Sequence, residues 1–201
     1  MVKSFRIIST LTITGFLLIG CGPSVILAPS GIYKVGDNNL EVTLDRDWND
    51  ATAVFNHQKS KAKLLTIDGV LLNRLYISQG LTVNDPLFVG QNGDTKNHIA
   101  PRPNDNMSLT EQMDYVTRSL GEVDFKKVNY KSPKPVTISG QKGIRFELNM
   151  RNNDGLDING LAQAVTKDNK NYYIIYLAPK EHYYNSNLKN AIAVMDSAKL
   201  P

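Results

Sequence analysis

One thiol, three histidines and a scatter of carboxylates are the side chains in this chain that could do chemistry. Cys21 is the only cysteine, so no intrachain disulfide can form and a metal site built on several thiolates is excluded. His57, His98 and His182 lie far apart and share no metal-ligand spacing; they read as solvated or hydrogen-bonded surface histidines. No Gly-x-Ser-x-Gly elbow, His-Glu-x-x-His pair or Walker loop is present. Gly140-x-x-Gly143 is too little to cradle a phosphate and reads as a tight turn. The stretch Asn152 to Gly160 is rich in Asn, Asp and Gly, which raises calcium. Taking Gly160 as the loop glycine, however, puts Gly155 at the first ligand and Thr166 at the terminal glutamate, so it is turn chemistry. Glu111 and Asp114 share a helix, but Glu111 is accounted for by capping. Glu147 stands beside Arg145 and Arg151 on what should be a wet strand face, where charged side chains form weak surface pairs. No catalytic, cofactor-binding or metal-binding constellation emerges.

Cys21 gains its meaning from what precedes it. Lys3 and Arg6 form a short positive region, followed by an uncharged run from Ile7 to Ile19. As a helix that run spans about 20 Å at 1.5 Å per residue, short of the ~30 Å hydrocarbon core, and it fits the apolar region of a secretory signal. It ends Leu18-Ile19-Gly20-Cys21, which resembles the lipobox of bacterial lipoproteins: an aliphatic residue, a small or aliphatic one, a small one, then Cys. The resemblance implies diacylglycerol on the Cys21 thiol, cleavage after Gly20 and usually a third acyl chain on the new amino terminus. One chain binds a membrane reversibly, whereas two or more anchor stably. The competing interpretation is a plain secreted protein with one buried cysteine. Gly22 is not the Asp that commonly holds such proteins at the inner membrane. The resemblance therefore implies the outer membrane, facing the periplasm, if the source is Gram-negative.

The expected organisation is a signal peptide over 1–20, a mobile tether over 21–30 carrying the lipidated Cys21, and a single domain over 31–201. Lys3 and Arg6 are two of the 23 basic side chains, so 21 remain against 19 acidic ones. That near balance argues against nucleic acid, which calls for clustered basic residues with exposed aromatics. Lys59, Lys61 and Lys63 come nearest, and their alternate spacing reads as the solvent face at a strand entrance.

The pattern of elements is mixed. Ile32–Val35 and Leu40–Leu44 flank turn chemistry at Gly36 to Asn39, and Leu40, Val42 and Leu44 alternate with polar residues as in a half-buried strand. Trp48, the only tryptophan, is expected to anchor the core at the end of this hairpin. Leu64–Ile67 and Val70–Ile77 flank Asp68-Gly69, a two-residue type I′ hairpin signal. The stretch 84–106 lacks periodicity and is long for a loop. Its Leu87, Phe88, Val89, His98 and Arg102 form either a partner-facing lip or a surface excursion tucked down by Phe88. Ser108 and Glu111 make a capping box for an amphipathic helix over about 109–120, with Gly121 as its C-cap. A strand around 125–130, a break at Pro133 and Pro135, and strands over 144–151, 156–166 and 172–178 follow. Tyr172 to Leu177 is apolar or aromatic on both faces and belongs in mid-sheet. A second helix is expected over about 187–198.

Strands, a helix, further strands and a helix define an α+β fold with an antiparallel β-sheet flanked by helices. That order, with the strand-then-Trp segment from Val42 to Trp48, resembles the Mog1/PsbP-like superfamily of α/β/α sandwiches. The resemblance implies a non-enzymatic accessory, assembly or binding protein, with no cofactor and no shared catalytic residues. The leading expectation is a lipid-anchored envelope protein that binds another envelope protein. One alternative is a carrier or sensor of a small apolar ligand held between sheet and helix. Another is an envelope hydrolase drawing on His98, Arg102, Glu111 and His182.

Overall fold

The computed structural model describes residues 24–37, 40–55, 60–89, 99–123 and 125–201. Cys21 and the whole leader, Lys59, His57 and His98 lie outside them. In chain order the elements are β1 (Ile26–Ala28), β2 (Gly31–Val35), β3 (Leu40–Leu44), β4 (Trp48–Asp50), α1 (Thr52–Phe55), β5 (Ala62–Thr66), β6 (Arg74–Ser78), α2 (Leu109–Gly121), β7 (Phe125–Ile138), β8 (Gln141–Asn152), β9 (Asp157–Lys167), β10 (Lys170–Pro179) and α3 (Tyr183–Asp196). Eight strands form one antiparallel sheet in the order β1-β4-β5-β6-β10-β9-β8-β7, and β2 and β3 form a separate two-stranded sheet. The fold is α+β, as the order of elements implies.

β10 explains why the sheet is covered on both faces. Its side chains alternate, so Tyr172, Ile174, Tyr176 and Ala178 enter one core with α3, β2, β3 and Trp48. Tyr173, Ile175 and Leu177 enter a second core with α2, Leu87, Phe88 and Met107. Trp48 is fully buried. Burying a side chain of the Leu, Ile or Phe class is worth about 1.5–3 kcal/mol relative to exposure, and β10 contributes such residues to both layers. A strand apolar on both faces cannot sit at an edge without exposing one of them.

α2 begins at the expected cap. Ser108 Oγ accepts from the Glu111 N–H, and Glu111 Oε2 accepts from the Ser108 N–H at 2.7 Å. The helix runs through Gly121, and its C-cap is Glu122 in the right-handed region, so Gly121 is not the cap. α3 starts at Tyr183, four residues before the expected Asn187.

Three strand expectations change. β1 pairs with β4 through Ile26–Asp50, Leu27–Asn49 and Ala28–Trp48, so part of the expected mobile tether is sheet. β5 and β6 do pair, with Leu65 opposite Leu75, but β6 starts at Arg74 and not Val70, so the connection is far longer than two residues. The expected break at Pro133 and Pro135 is instead a continuous strand, β7, with register shifts between Lys126 and Asn129 and between Lys131 and Lys134. Lys127 and Ser132 adopt positive φ at those shifts. β7 is a sheet edge, where prolines cost no ladder bond if their missing N–H would face solvent.

Candidate functional site

The β5–β6 connection is held in shape by polar side chains. Gly69, at φ +108, takes a conformation that favours glycine. Its carbonyl accepts from the Leu72 and Asn73 N–H groups at 2.9 and 3.0 Å, making a single helical turn. Asn73 Oδ1 accepts from the Ile67 N–H at 2.7 Å, and Asn73 Nδ2 donates to Asp68 Oδ2 at 2.7 Å. Thr66 Oγ1 donates to the Asn73 carbonyl at 2.8 Å and accepts from the Gly69 N–H at 2.9 Å. With its polar groups satisfied internally, the turn thrusts Leu71 into solvent at 78% exposure.

Leu71 stands on one wall of an open groove of about 450 Å³ at the end of the sheet. Val70, Leu72 and Arg74 complete that wall. Asn152 to Ile158, from the β8–β9 hairpin, supply the other, and Phe125, Leu177 and Pro179 the floor. The Arg74 guanidinium lies 5.5 Å from the centroid of the Phe125 ring, and its Nε donates to the Val70 carbonyl at 2.6 Å. Charge is confined to Arg74, Asp154 and Glu181, and the remaining surface is mainly apolar. Leu156 is 46% exposed. An apolar groove with a few polar groups at its margin suits hydrophobic contact with orientation set by the margin. Nothing in it pairs a nucleophile with a base.

A second cleft, about 370 Å³, lies along α2 and is lined by Arg102, Asn104, Met107, Glu111, Asp114, Thr117 and Arg118. Two of its charged side chains, Arg102 and Glu111, are engaged in local structure. Arg102 donates from Nη1 to the Ala100 carbonyl at 3.1 Å and from Nε to the Asn84 carbonyl at 3.3 Å. Glu111 caps α2, and the Ser108 hydrogen bonds hold its carboxyl below the ordinary value. His182 heads α3, which packs on the opposite face of the sheet from α2. Of the four expected hydrolase candidates, Arg102 and Glu111 therefore share a cleft, His182 does not join them, and His98 lies outside the described residues. Among the described residues, no group of three or more His, Cys, Asp or Glu could hold a metal ion, and no helix is long and apolar enough to cross a membrane.

The start of the expected partner-facing lip is turned inward. Leu87, Phe88 and Val89 are buried, with the Phe88 ring edge-on to Tyr76 at 4.8 Å and the Leu87 carbonyl accepting from Ser60 Oγ at 2.8 Å. Phe88 thus tucks the start of this stretch down, while Ile99 is 70% exposed and Arg102 lines the cleft along α2. Between the sheet and α3, the space bounded by Leu40, Ile138, Val165, Tyr172 and Ala198 is about 10 Å³, barely room for one water. A small apolar ligand, the expected alternative between sheet and helix, does not fit that gap, and the cleft of about 300 Å³ beside it, lined by Val136, Arg145, Gln163, Met195 and Asp196, is mainly polar.

The charged row on β8 is also less wet than expected. Arg145 donates to Gln163 Oε1 and to Asp196 Oδ1 at 2.6 Å, and the buried Gln163 passes the link to the Met195 carbonyl at 2.9 Å. These side chains strap α3 to the sheet. Glu147 pairs with Lys131, and Arg151 with Asp157.

The solution structure of cyanobacterial PsbP (CyanoP) from Synechocystis sp. PCC 6803 resembles this chain with a TM-score of 0.55 and 12% identity, covering 90% of this chain and 96% of that one. The two share a PsbP-like α+β fold, and at that identity the likeness speaks for the fold alone. A Pseudomonas aeruginosa protein of unknown function, PA94, matches with 12% identity over 83% of this chain and 95% of that one, at a TM-score of 0.39 that does not establish a common fold. No family model matches the chain, and no curated protein matches it.

Proposed function

We propose that this chain is a lipid-anchored, non-enzymatic accessory module of the bacterial cell envelope that holds an apolar segment of a partner protein in the groove at the end of its sheet. The observation that carries this is the open apolar groove beneath the exposed Leu71. The gap bounded by Leu40, Tyr172 and Ala198 is about 10 Å³ and the cleft beside Arg145, Gln163 and Asp196 is mainly polar, while the groove beside the exposed Leu71 is about 450 Å³. An apolar groove with a few polar groups at its margin is the form that takes a hydrophobic segment. The lipobox at Leu18 to Cys21 supports the anchor, and two or more acyl chains would make it stable.

Two measurements test this. A photoreactive side chain placed at Leu71 in intact envelopes should give a discrete protein adduct, while the same group at Lys34, outside the groove, should not. Equal labelling from both positions, or none, counts against a groove partner. A bound small apolar molecule that abolishes the adduct would point to a carrier instead. Separately, Cys21→Ser should leave the membrane fraction; sedimentation with lipid indistinguishable from the parent would remove the anchor.

A further inference from the structure

The strand at which the chain enters the sheet is an apolar edge whose side chains stand largely exposed. Residues 24–30 read Ser-Val-Ile-Leu-Ala-Pro-Ser and carry no charge. Val25, Ile26 and Leu27 are 48%, 61% and 61% exposed, and Ala28 alone of the strand is buried. Side chains alternate between the faces of a strand, so the exposure of both Ile26 and Leu27 leaves both faces of β1 open ahead of Ala28. Proteins ordinarily guard sheet edges with charged side chains, lysine above all; β1 has none. A second exposed apolar pair, Val54 and Phe55, stands on α1, which begins two residues after Asp50, the ladder partner of Ile26.

We infer that this edge is a lipid-docking surface, resting in the headgroup layer of the same bilayer that holds the acyl chains of Cys21. The inference rests on the anchor proposed above. Its physical basis is chain length. Only Gly22, Pro23 and Ser24 separate Cys21 from Val25. Four residues of extended chain reach at most about 14 Å, whereas the polar layer on each side of a bilayer is about 5–8 Å deep. An anchored Cys21 thus keeps Val25 within about 14 Å of the anchor, and Ile26 and Leu27 within about 18 and 22 Å, so all three can reach the interface. There an apolar side chain gains by entering the headgroup–acyl boundary, as interfacial segments do. The anchor has already brought the surface to high effective concentration, so a small patch suffices. The floor of the groove on β10 lies four strand spacings from β1, about 19 Å at ~4.8 Å per spacing.

The test uses the full chain, expressed with its leader, purified from membranes and reconstituted into phosphatidylethanolamine–phosphatidylglycerol vesicles. Ile26→Cys and, as control, Leu71→Cys each carry an environment-sensitive fluorophore on the new thiol, the sulfur of an acylated Cys21 being unable to react. Spin-labelled lipid in the vesicles should quench most of the emission at position 26 and little at position 71. Mass spectrometry of the amino-terminal peptide reports the acyl groups independently. An acylated chain with position 26 no more quenched than position 71 overturns the docking surface and leaves the anchor standing; a peptide without acyl groups overturns both.

Discussion

Asn187 on α3 donates to Asp68 Oδ2 in the β5–β6 connection at 2.7 Å. The same oxygen accepts from Asn73 Nδ2 at 2.7 Å. One carboxylate oxygen therefore fixes the turn that displays Leu71 and ties it to the helix on the sheet's α3 face. Both amides are buried, so Asp68→Ala leaves two donors to find other partners. Loss of such a bond costs about 1–3 kcal/mol, moderated here because Asp68 itself is exposed. The expected outcome is a modest fall in melting temperature together with faster amide exchange over residues 67–73. If those amides exchange as in the parent, Asp68 does not hold the groove wall.

The start of the long loop depends on α2. Leu87 N–H donates to Tyr115 Oη at 2.9 Å in a buried setting. Burial pushes the Tyr115 hydroxyl up to about 12, so it stays protonated at neutral pH. Tyr115→Phe keeps the ring packing and removes the acceptor, leaving a buried backbone N–H unpaired, which costs about 1–3 kcal/mol. Urea denaturation should show that loss, and hydrogen exchange should show Leu87 deprotected ahead of the α2 amides. A variant as stable as the parent would mean the bond contributes nothing net.

Gly160 marks a place where two strands and a side chain leave no room. A Cβ there would come within 2.6 Å of Leu177 Cδ2 and 2.9 Å of the Tyr176 carbonyl oxygen. The backbone oxygen cannot step aside, because it belongs to the central strand. Gly160→Ala should destabilise by about 1–3 kcal/mol through overpacking, with strand separation felt in both cores. Gly155→Ala, by comparison, meets no atom within 4 Å but sits at φ +86, so its penalty is backbone strain alone and confined to the hairpin. Equal losses from the two variants, read as denaturation midpoints, would contradict this division.

What was legible in the sequence followed local physics. The capping box, the alternation in β3 and β8, and the two-faced apolar run in β10 each depend on neighbours within a few residues. The groove did not show because Val70, Leu71 and Leu72 continue smoothly into Leu75 and Ile77 as a strand pattern. Only the fold reveals that Asn73, bonded to Thr66, Ile67 and Asp68, closes a turn before β6 starts. The inward placement of Leu87, Phe88 and Val89 was equally hidden, since it is set by Tyr115 and Tyr76 from other elements. β1 escaped notice because three residues beside a proline give too short a pattern; its pairing depends on Trp48 and its neighbours across the ladder.

Acid should loosen the loop at Asp85 in a specific window. Its carboxylate accepts from the Thr82 N–H at 2.9 Å and the Thr82 hydroxyl at 2.7 Å, and pairs with Lys61 at 2.8 Å. Burial pushes its carboxyl up, but Lys61 and the two Thr82 bonds outweigh that and hold it below the ordinary carboxylate value. A carboxyl whose pKa is lower folded than unfolded adds stability that is fully present above the unfolded value, about 3.9, and is lost as pH falls through the folded value. Asp50, lowered despite burial by Thr52, Tyr33 and Lys63, acts in the same sense. Asp85→Asn removes one such contribution at every pH: it should be less stable than the parent by about 1 kcal/mol at pH 7, and the gap should close as pH approaches 3. Urea midpoints of the two proteins compared from pH 7 to pH 3 give the answer, and a gap that stays constant or widens toward acid would show that Asp85 is not the titrating group.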